Sequence, residues 1–185
     1  MYNNLDAYAK SVATLASRRE SHLFFNEGNE HALIVFENIF RNARKNLHIV
    51  ANDLTNAEVC NHPDYIESLG AYLAQDGVTL GIILSHADEG RIRNAPVFQT
   101  IYNSSAYKAG NVKLYNLNGK QFKNNNETVH FCFADGMMYR IETDTIHRKA
   151  QCNFNDPTTV KALQHNFKNG VGLATVVDLS QIYAE

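Results

Sequence analysis

Residues 78–84, VTLGIIL, form a nearly continuous apolar run that only Thr79 and Gly81 interrupt. Such a run is typical of a strand that is buried on both faces, as in the middle of an α/β sheet. The segment before it, Pro63 to Gln75, predicts a helix, because proline suits the first helical turn and Gly77 stands just past the end. A helix that leads into a buried strand indicates a parallel crossover, so the sequence predicts an α/β fold.

The same alternation continues toward the N-terminus. NLHIVA, residues 46–51, predicts a short apolar strand, and Asn29 to Ala43 predicts the helix before it, with its apolar residues on one face. Leu5 to Arg19 has helical apolar spacing, and His22 to Phe25 predicts a short extended segment.

Toward the C-terminus the pattern changes from alternating elements to adjacent strands. A helix over Pro96–Asn103 and a strand over Val112–Leu117 are followed by three predicted strands, at Thr128–Phe133, Met137–Glu142 and His147–Phe154. Turns are expected at Asp135-Gly136 and at Thr143 to Thr145, and a last helix is expected from Pro157, capped by Asp156. We therefore predict a mixed, mostly parallel central sheet flanked by helices on both faces. Residues 1–185 are expected to form one domain, with helix 3–19 as an appendage.

Composition bounds the function classes. The chain has 185 residues, 44% hydrophobic and 19% charged, with a net charge of −2, so no overall basic bias indicates a nucleic-acid binder. No apolar run approaches the roughly 18 residues of a membrane helix, and we expect a cytoplasmic protein without membrane insertion. The three cysteines lack metal-binding spacing, which favours reduced thiols and neither a metal site nor a cofactor.

The stretch with the most chemistry is TVHFCFADGMMYRIE, residues 128–142, followed by AQCNFNDP, residues 150–157. This region resembles one half of the phospholipase D superfamily, whose motif is His-x-Lys, four residues, Asp, and then a Gly-Ser-x-Asn-Phe-like stretch. The helix ending RNARK (41–45) before LHIVANDL (47–54) also resembles the family's opening unit. In the order of its elements, the resemblance covers Asn29 to Gly170.

The resemblance implies a defined chemistry. The motif histidine attacks phosphorus and forms a phospho-histidine, while a histidine from a second copy of the motif protonates the leaving group. The lysine neutralises charge on the phosphoryl oxygens, and the aspartate orients a histidine. Because this chain has room for one copy, the resemblance also implies a homodimer.

The motif residues do not fit in one register. If Asp135 is the motif aspartate, His130 occupies the lysine position and Thr128 the nucleophile position. If His130 is the nucleophile, Cys132 occupies the lysine position and Met137 the aspartate position.

A literal His-x-Lys occurs at His147 to Lys149, but Phe154 stands where the aspartate is needed. In the later stretch only Asn153 and Phe154 match the family. The sequence therefore predicts a relative of the family that has lost its catalytic pattern.

Candidate site residues still lie close together in the sequence. The candidates for catalysis are His130, Asp135 and His147, and the candidates for ligand binding are Arg140, Glu142, Arg148, Lys149, Asn153 and Asn155. Asn52-Asp53, after the strand that ends at Ala51, is expected at the pocket rim.

Each candidate also has a structural interpretation. A histidine on such a strand is often simply hydrogen-bonded, Asp-Gly is a common turn, and Arg140 and Glu142 can pair with each other or with Arg148. The stretch Asn153 to Pro157 is equally well explained by helix capping.

Three hypotheses follow. The first is a phospholipase D-like domain, catalytically degenerate, that binds a phosphate-bearing ligand or a protein partner. The second is an active phosphodiesterase or nuclease that uses His130 or His147 after homodimerisation, with nucleic acid among its candidate substrates. The third is an α/β scaffold protein whose resemblance to the family is coincidental.

Overall fold

The computed structural model of the chain describes residues 4–124 and 127–184. Its helices are α1 Asn4–Arg18, α2 Asn29–Asn42, α3 Pro63–Leu73, α4 Glu89–Asn94, α5 Pro96–Asn103, α6 Ser105–Lys108, α7 Pro157–Val171 and α8 Leu179–Tyr183. Its strands are β1 Phe24–Asn26, β2 Asn46–Ala51, β3 Thr79–Leu84, β4 Val112–Asn116, β5 Lys123–Asn124, β6 Glu127–Thr128, β7 His130–Ala134, β8 Met138–Asp144, β9 Lys149–Asn153 and β10 Thr175–Val177.

Eight of the described strands form one mixed sheet in the order β1-β9-β8-β7-β2-β3-β4-β10. The predicted mixed α/β architecture is confirmed, but the prediction of a mostly parallel sheet is wrong. Only β2–β3 and β3–β4 are parallel, whereas the other five pairings are antiparallel. The difference arises because β7, β8 and β9 are joined by short turns, which return the chain antiparallel to itself.

Helices cover both faces of the sheet, as predicted. On β2, Leu47 and Ile49 point into the larger core, to which α1, α2, α3 and α5 contribute. Val50, which points to the opposite face, belongs to a second core with Phe131 and Phe133, and there α7 contributes Phe167. This alternation follows from the two-residue period of a strand, and it gives each sheet residue a defined face.

The hairpin between β8 and β9 departs from the prediction. The turn occupies residues 145–148, whereas the sequence pattern placed it at Thr143 to Thr145. The pairing shifts between Glu142 and Asp144, so β8 continues two residues further than predicted. The Asp144 carboxylate then accepts hydrogen bonds from the backbone N–H groups of Ile146 and His147, which closes the turn.

Within residues 4–124 and 127–184, no helix has both the length and the apolar character to cross a bilayer.

Candidate functional site

A pocket of about 520 Å³ opens at the end of the sheet where β2 and β8 end and β7 begins. Phe36 on α2 and Ile49 on β2 form part of its apolar wall. Its acidic and basic lining residues, including histidine, are Asp53, His130, Arg140, Glu142 and Arg148. The pocket therefore combines an apolar wall with charged groups, an arrangement typical of small-ligand sites.

His130 and Glu142 form the central contact of this pocket. They are direct partners across β7 and β8, so their side chains lie on the same face of the sheet. His130 Nδ1 lies 3.1 Å from Glu142 Oε2. The other ring nitrogen, Nε2, is buried and has no hydrogen-bond partner among the described residues. One side of the imidazole is thus held by a carboxylate, whereas the other nitrogen is a buried polar atom whose hydrogen-bonding capacity is unmet by the described residues.

Glu142 is surrounded by positive charge. Its Oε1 accepts a hydrogen bond of 3.0 Å from Arg140 Nη2, and its Oε2 lies 3.6 Å from Arg148 Nη1. Burial by itself raises the pKa of the Glu142 carboxyl, but the hydrogen bonds from His130 and Arg140 and the charge of Arg148 outweigh burial and hold it below its ordinary value. The carboxylate is therefore ionised at neutral pH, and two guanidinium groups exceed its single negative charge.

Arg140 is fixed in place by three neighbours. Besides Glu142, its Nε donates a hydrogen bond of 3.0 Å to Asn26 Oδ1 on β1, and its guanidinium lies 5.0 Å from the centre of the Phe36 ring. Only 3% of Arg140 is exposed. A cation held this firmly contributes to the field in the pocket while its own donors are largely committed.

Arg148 approaches the pocket from the last position of the β8–β9 turn. Its backbone has φ 55°, the left-handed region that residues with a Cβ rarely occupy. Asn26 Nδ2 donates a hydrogen bond of 2.7 Å to the Arg148 carbonyl oxygen. The Arg148 side chain is 27% exposed, so it is more accessible than that of Arg140.

Asn52 and Asp53 line the same pocket, at the end of β2. Asp53 Oδ2 lies 3.0 Å from Arg91 Nη1 on α4, and Asp53 Oδ1 accepts a hydrogen bond from the Thr55 N–H. Burial works against ionisation of Asp53, but the Thr55 hydrogen bonds and the Arg91 charge outweigh it and lower its pKa.

The other predicted site residues lie outside this pocket. Asp135 closes the β7–β8 turn, where its carboxylate accepts hydrogen bonds from the backbone N–H groups of Arg44, Lys45 and Asn46. His147 pairs with Asp144 in the exposed turn, at 2.8 Å from Nδ1 to Oδ2. These contacts hold the ends of strands together.

Lys149, Asn153 and Asn155 are also apart from the pocket. Lys149 Nζ lies 3.3 Å from Glu27 Oε1 near the sheet edge. Asn153 pairs with Tyr139, on the opposite face from Arg140, and its side chain accepts a hydrogen bond from the Asn155 N–H. The structure therefore brings His130, Arg140, Glu142 and Arg148 together and leaves the other five candidates elsewhere.

Asn26 supports the pocket, and no sequence pattern predicted this role. It is a buried polar residue on a strand of three residues, and its contacts to Arg140 and Arg148 cross more than a hundred positions of chain. The described residues contain no cluster of three or more His, Cys, Asp or Glu side chains that could hold a metal ion.

Comparison with solved structures places this architecture among known proteins. No family model and no curated protein sequence matches the chain. In structure, it is similar to Nuc from Salmonella typhimurium, a phospholipase D family member, with a TM-score of 0.57 and 14% identity over 85% of this chain and 99% of Nuc. The chain has the phospholipase D-like fold. NucT from Helicobacter pylori gives a TM-score of 0.59 with 12% identity, covering 85% of this chain and all of NucT (100%).

The phospholipase D-like fold of this chain also matches TrmBL2, an archaeal chromatin protein described as showing a novel mode of DNA binding. Here the TM-score is 0.62 with 13% identity over 93% of this chain. This chain spans only 62% of TrmBL2. At such identities the comparisons establish the fold alone.

Proposed function

We propose that this phospholipase D-like domain binds a phosphate-bearing ligand in the His130 pocket and lacks the two-step hydrolysis of the family. The observation that carries the proposal is the unpartnered Nε2 of His130. His130 Nδ1 and Arg148 Nη1 both approach the same oxygen, Glu142 Oε2, so an imidazole and a guanidinium lie side by side. A phosphate oxygen would satisfy the buried ring nitrogen, and a neighbouring guanidinium is well suited to bind a second oxygen.

The second position after His130 supports a binding role. If His130 is the motif histidine, the family has lysine there, whereas this chain has Cys132, which is buried. Burial raises the pKa of the Cys132 thiol to about 12, so the group is neutral at physiological pH. A neutral thiol cannot offset the negative charge that develops on a phosphoryl group in the transition state.

A phosphodiesterase is the second candidate, and one observation favours it. A histidine held by a carboxylate at Nδ1 with a free Nε2 has the arrangement that a nucleophilic imidazole requires. This candidate needs a second histidine to protonate the leaving group, which a homodimer would supply. We also propose that the chain forms a homodimer and is located in the cytoplasm. Light scattering of the purified chain tests the homodimer.

Thermal unfolding with inorganic phosphate tests the proposed binding. Phosphate at 100 times its Kd is expected to stabilise the wild-type protein by about 2.7 kcal/mol and to have little effect on His130→Ala. His165→Ala, a change at an exposed histidine of α7, is the matched control and should respond like wild type. Equal responses of His130→Ala and wild type would contradict the proposal.

Turnover separates the two candidates. Wild type, His130→Ala and His147→Ala are incubated with bis-p-nitrophenyl phosphate and with single- and double-stranded DNA. We expect no product from any of the three. Hydrolysis by wild type that His130→Ala abolishes would favour the phosphodiesterase instead.

A further inference from the structure

The chain segment Asn26 to Gly28 donates hydrogen bonds to the backbone of the turn that carries Arg148. Asn26 Nδ2 donates to the carbonyl oxygen of Arg148 at 2.7 Å, and the Gly28 N–H donates to the carbonyl oxygen of His147 at 3.0 Å. The peptide groups on both sides of the Arg148 Cα are therefore fixed by hydrogen bonds. Lys149, the next residue, is paired with Glu27.

These bonds hold Arg148 in a conformation that it would not adopt alone. With φ 55°, its Cβ crowds the backbone, and such strain persists only where surrounding contacts impose it. Backbone strain of this kind is common where a side chain is positioned for function. Here the consequence is that the Arg148 guanidinium lines the pocket and lies 3.6 Å from Glu142 Oε2.

Asn26 serves both arginines of the pocket at once. Its amide nitrogen bonds the backbone of Arg148, while its amide oxygen accepts a hydrogen bond from Arg140 Nε at 3.0 Å. Asn26 is only 3% exposed, so neither contact competes with bulk water. No other amino acid of this size provides a neutral donor and acceptor in this geometry.

We infer that Arg148 is the residue that sets the affinity of the pocket for phosphate, and that Asn26 is the positioning residue that presets it. The inference rests on the proposed function, since it names the residue that contacts the phosphate. Arg148 differs from Arg140, because the Arg140 guanidinium already donates hydrogen bonds to Asn26 and Glu142.

Arg148→Gly tests the affinity role, and Arg19→Gly is its matched control. Both residues are left-handed arginines, with φ 55° and 51°, and Arg19 stands just after α1, outside the pocket. Glycine adopts this conformation without strain, which offsets part of the loss of the Arg148–Glu142 contact, so both variants should fold. By calorimetry with inorganic phosphate, Arg148→Gly is expected to bind about tenfold more weakly or worse, and Arg19→Gly within about twofold of wild type. Wild-type affinity in Arg148→Gly would overturn the inference.

A double-mutant cycle tests the positioning role. Asn26→Asp keeps an oxygen for Arg140 Nε but loses the donor to the Arg148 carbonyl, because a carboxylate cannot donate. It also adds a negative charge that repels phosphate in both backgrounds, so the loss of affinity should be several-fold larger in the wild-type background than in the Arg148→Gly background. An equal loss in both backgrounds would show that Asn26 does not act through Arg148, and would overturn this part.

Failure of the proposed function would be recognised separately. If the wild-type protein does not bind phosphate, the function fails, and the positioning is judged from the pKa of Glu142, followed by carbon-13 NMR. Arg148 helps to lower that pKa, so Arg148→Gly should raise it, while Arg19→Gly should not. Asn26→Asp should raise it more in the wild-type background than in the Arg148→Gly background. No rise in Arg148→Gly, or an equal rise in both backgrounds, would contradict the inference even without a ligand.

Discussion

His130 and Glu142 are direct partners on β7 and β8, and their side chains meet at 3.1 Å. The contact depends on the register of one hairpin, which pairs Ala134 with Met138 across a turn where Asp135 and Gly136 both have positive φ. Because side chains alternate between faces, a slip of one residue would carry His130 to the face covered by α7. The geometry of the pocket is therefore set at a turn on the opposite end of the strands.

Asp135→Ala tests whether Asp135 stabilises the fold without taking part in the pocket. The Asp135 carboxylate accepts hydrogen bonds from three consecutive backbone N–H groups, at 2.8, 2.8 and 3.1 Å. Losing charge-assisted hydrogen bonds is expected to lower the free energy of unfolding by about 2 kcal/mol, measured by urea denaturation. At a temperature where the variant is folded, phosphate affinity should match wild type. A selective loss of affinity with unchanged stability would show that Asp135 acts in the pocket.

Glu142→Gln removes the negative charge from the centre of the network. Arg140, only 3% exposed, would lose its ionic partner, and breaking one side of a buried pair costs about 3–5 kcal/mol. We expect that loss in urea denaturation at pH 7. Glu20→Gln, which breaks the exposed Arg18–Glu20 pair, is the control and should change little. A Glu142→Gln protein as stable as the control variant would contradict the buried network.

The pKa of Glu142 adds a pH signature to that variant. A carboxyl with a lowered pKa stabilises the folded state above its unfolded pKa, and this contribution is lost as the pH falls through the folded value. The stability difference between wild type and Glu142→Gln should thus be constant near neutrality and shrink below pH 4.5, the ordinary value. A difference that grows toward acid would refute this assignment.

His48→Phe is expected to make the protein less sensitive to acid. His48 stacks on Phe133, packs edge-on against Phe167, and its buried Nδ1 has no partner among the described residues. Burial lowers its pKa to about 4, so between pH 6.5 and 4 the unfolded chain binds a proton that the folded chain does not. Relative to His48→Phe, wild type should lose on the order of 2 kcal/mol between pH 8 and pH 5.

Urea denaturation at the two pH values measures this difference. His165→Gln, at an exposed position of α7, serves as the control and should follow the wild-type pH profile. Parallel profiles of wild type and His48→Phe would mean that His48 is not held neutral in the fold.

Two glycines should respond oppositely to alanine. In α3, a Cβ on Gly70 would meet only Thr100 Cγ2 at 3.5 Å, so Gly70→Ala should gain up to about 1 kcal/mol from helix propensity. On β3, a Cβ on Gly81 would lie 2.9 Å from both His48 Cδ2 and Phe167 Cζ. Gly81→Ala should therefore lose about 1–3 kcal/mol through overpacking against α7. Thermal unfolding of the two variants gives the signs, and a stabilised Gly81→Ala would contradict the described packing.

Much of this fold was predictable because its signals are local. The strand NLHIVA was predicted with its observed bounds, and Asp156-Pro157 correctly marked the start of α7. Arg140 and Glu142 lie on the same face of the sheet because they are two residues apart along a strand. The Asp135-Gly136 turn brings His130 to that face. These three positions needed only strand periodicity and one turn.

The remaining features depend on pairings between distant segments. The short edge strand β1 pairs with β9, and that pairing alone brings Asn26 to Arg140. The Thr143 to Thr145 sequence has turn-forming residues, but the irregular pairing between Glu142 and Asp144 carries the strand past them. Asn153 and Lys149 are near Arg148 in sequence, yet strand alternation and the sheet edge separate them from the pocket in space. Sequence proximity does not encode such relationships.

The placement of Asn26 matters to anyone who shortens this protein. A fragment beginning at α2 would retain seven of the eight strands of the large sheet and every side chain that lines the pocket. It would still lack the amide that steadies both arginines. Such a fragment would also lose α1, which packs Val12 and Ala16 into the larger core, so ligand screens belong on a chain that includes α1 and β1.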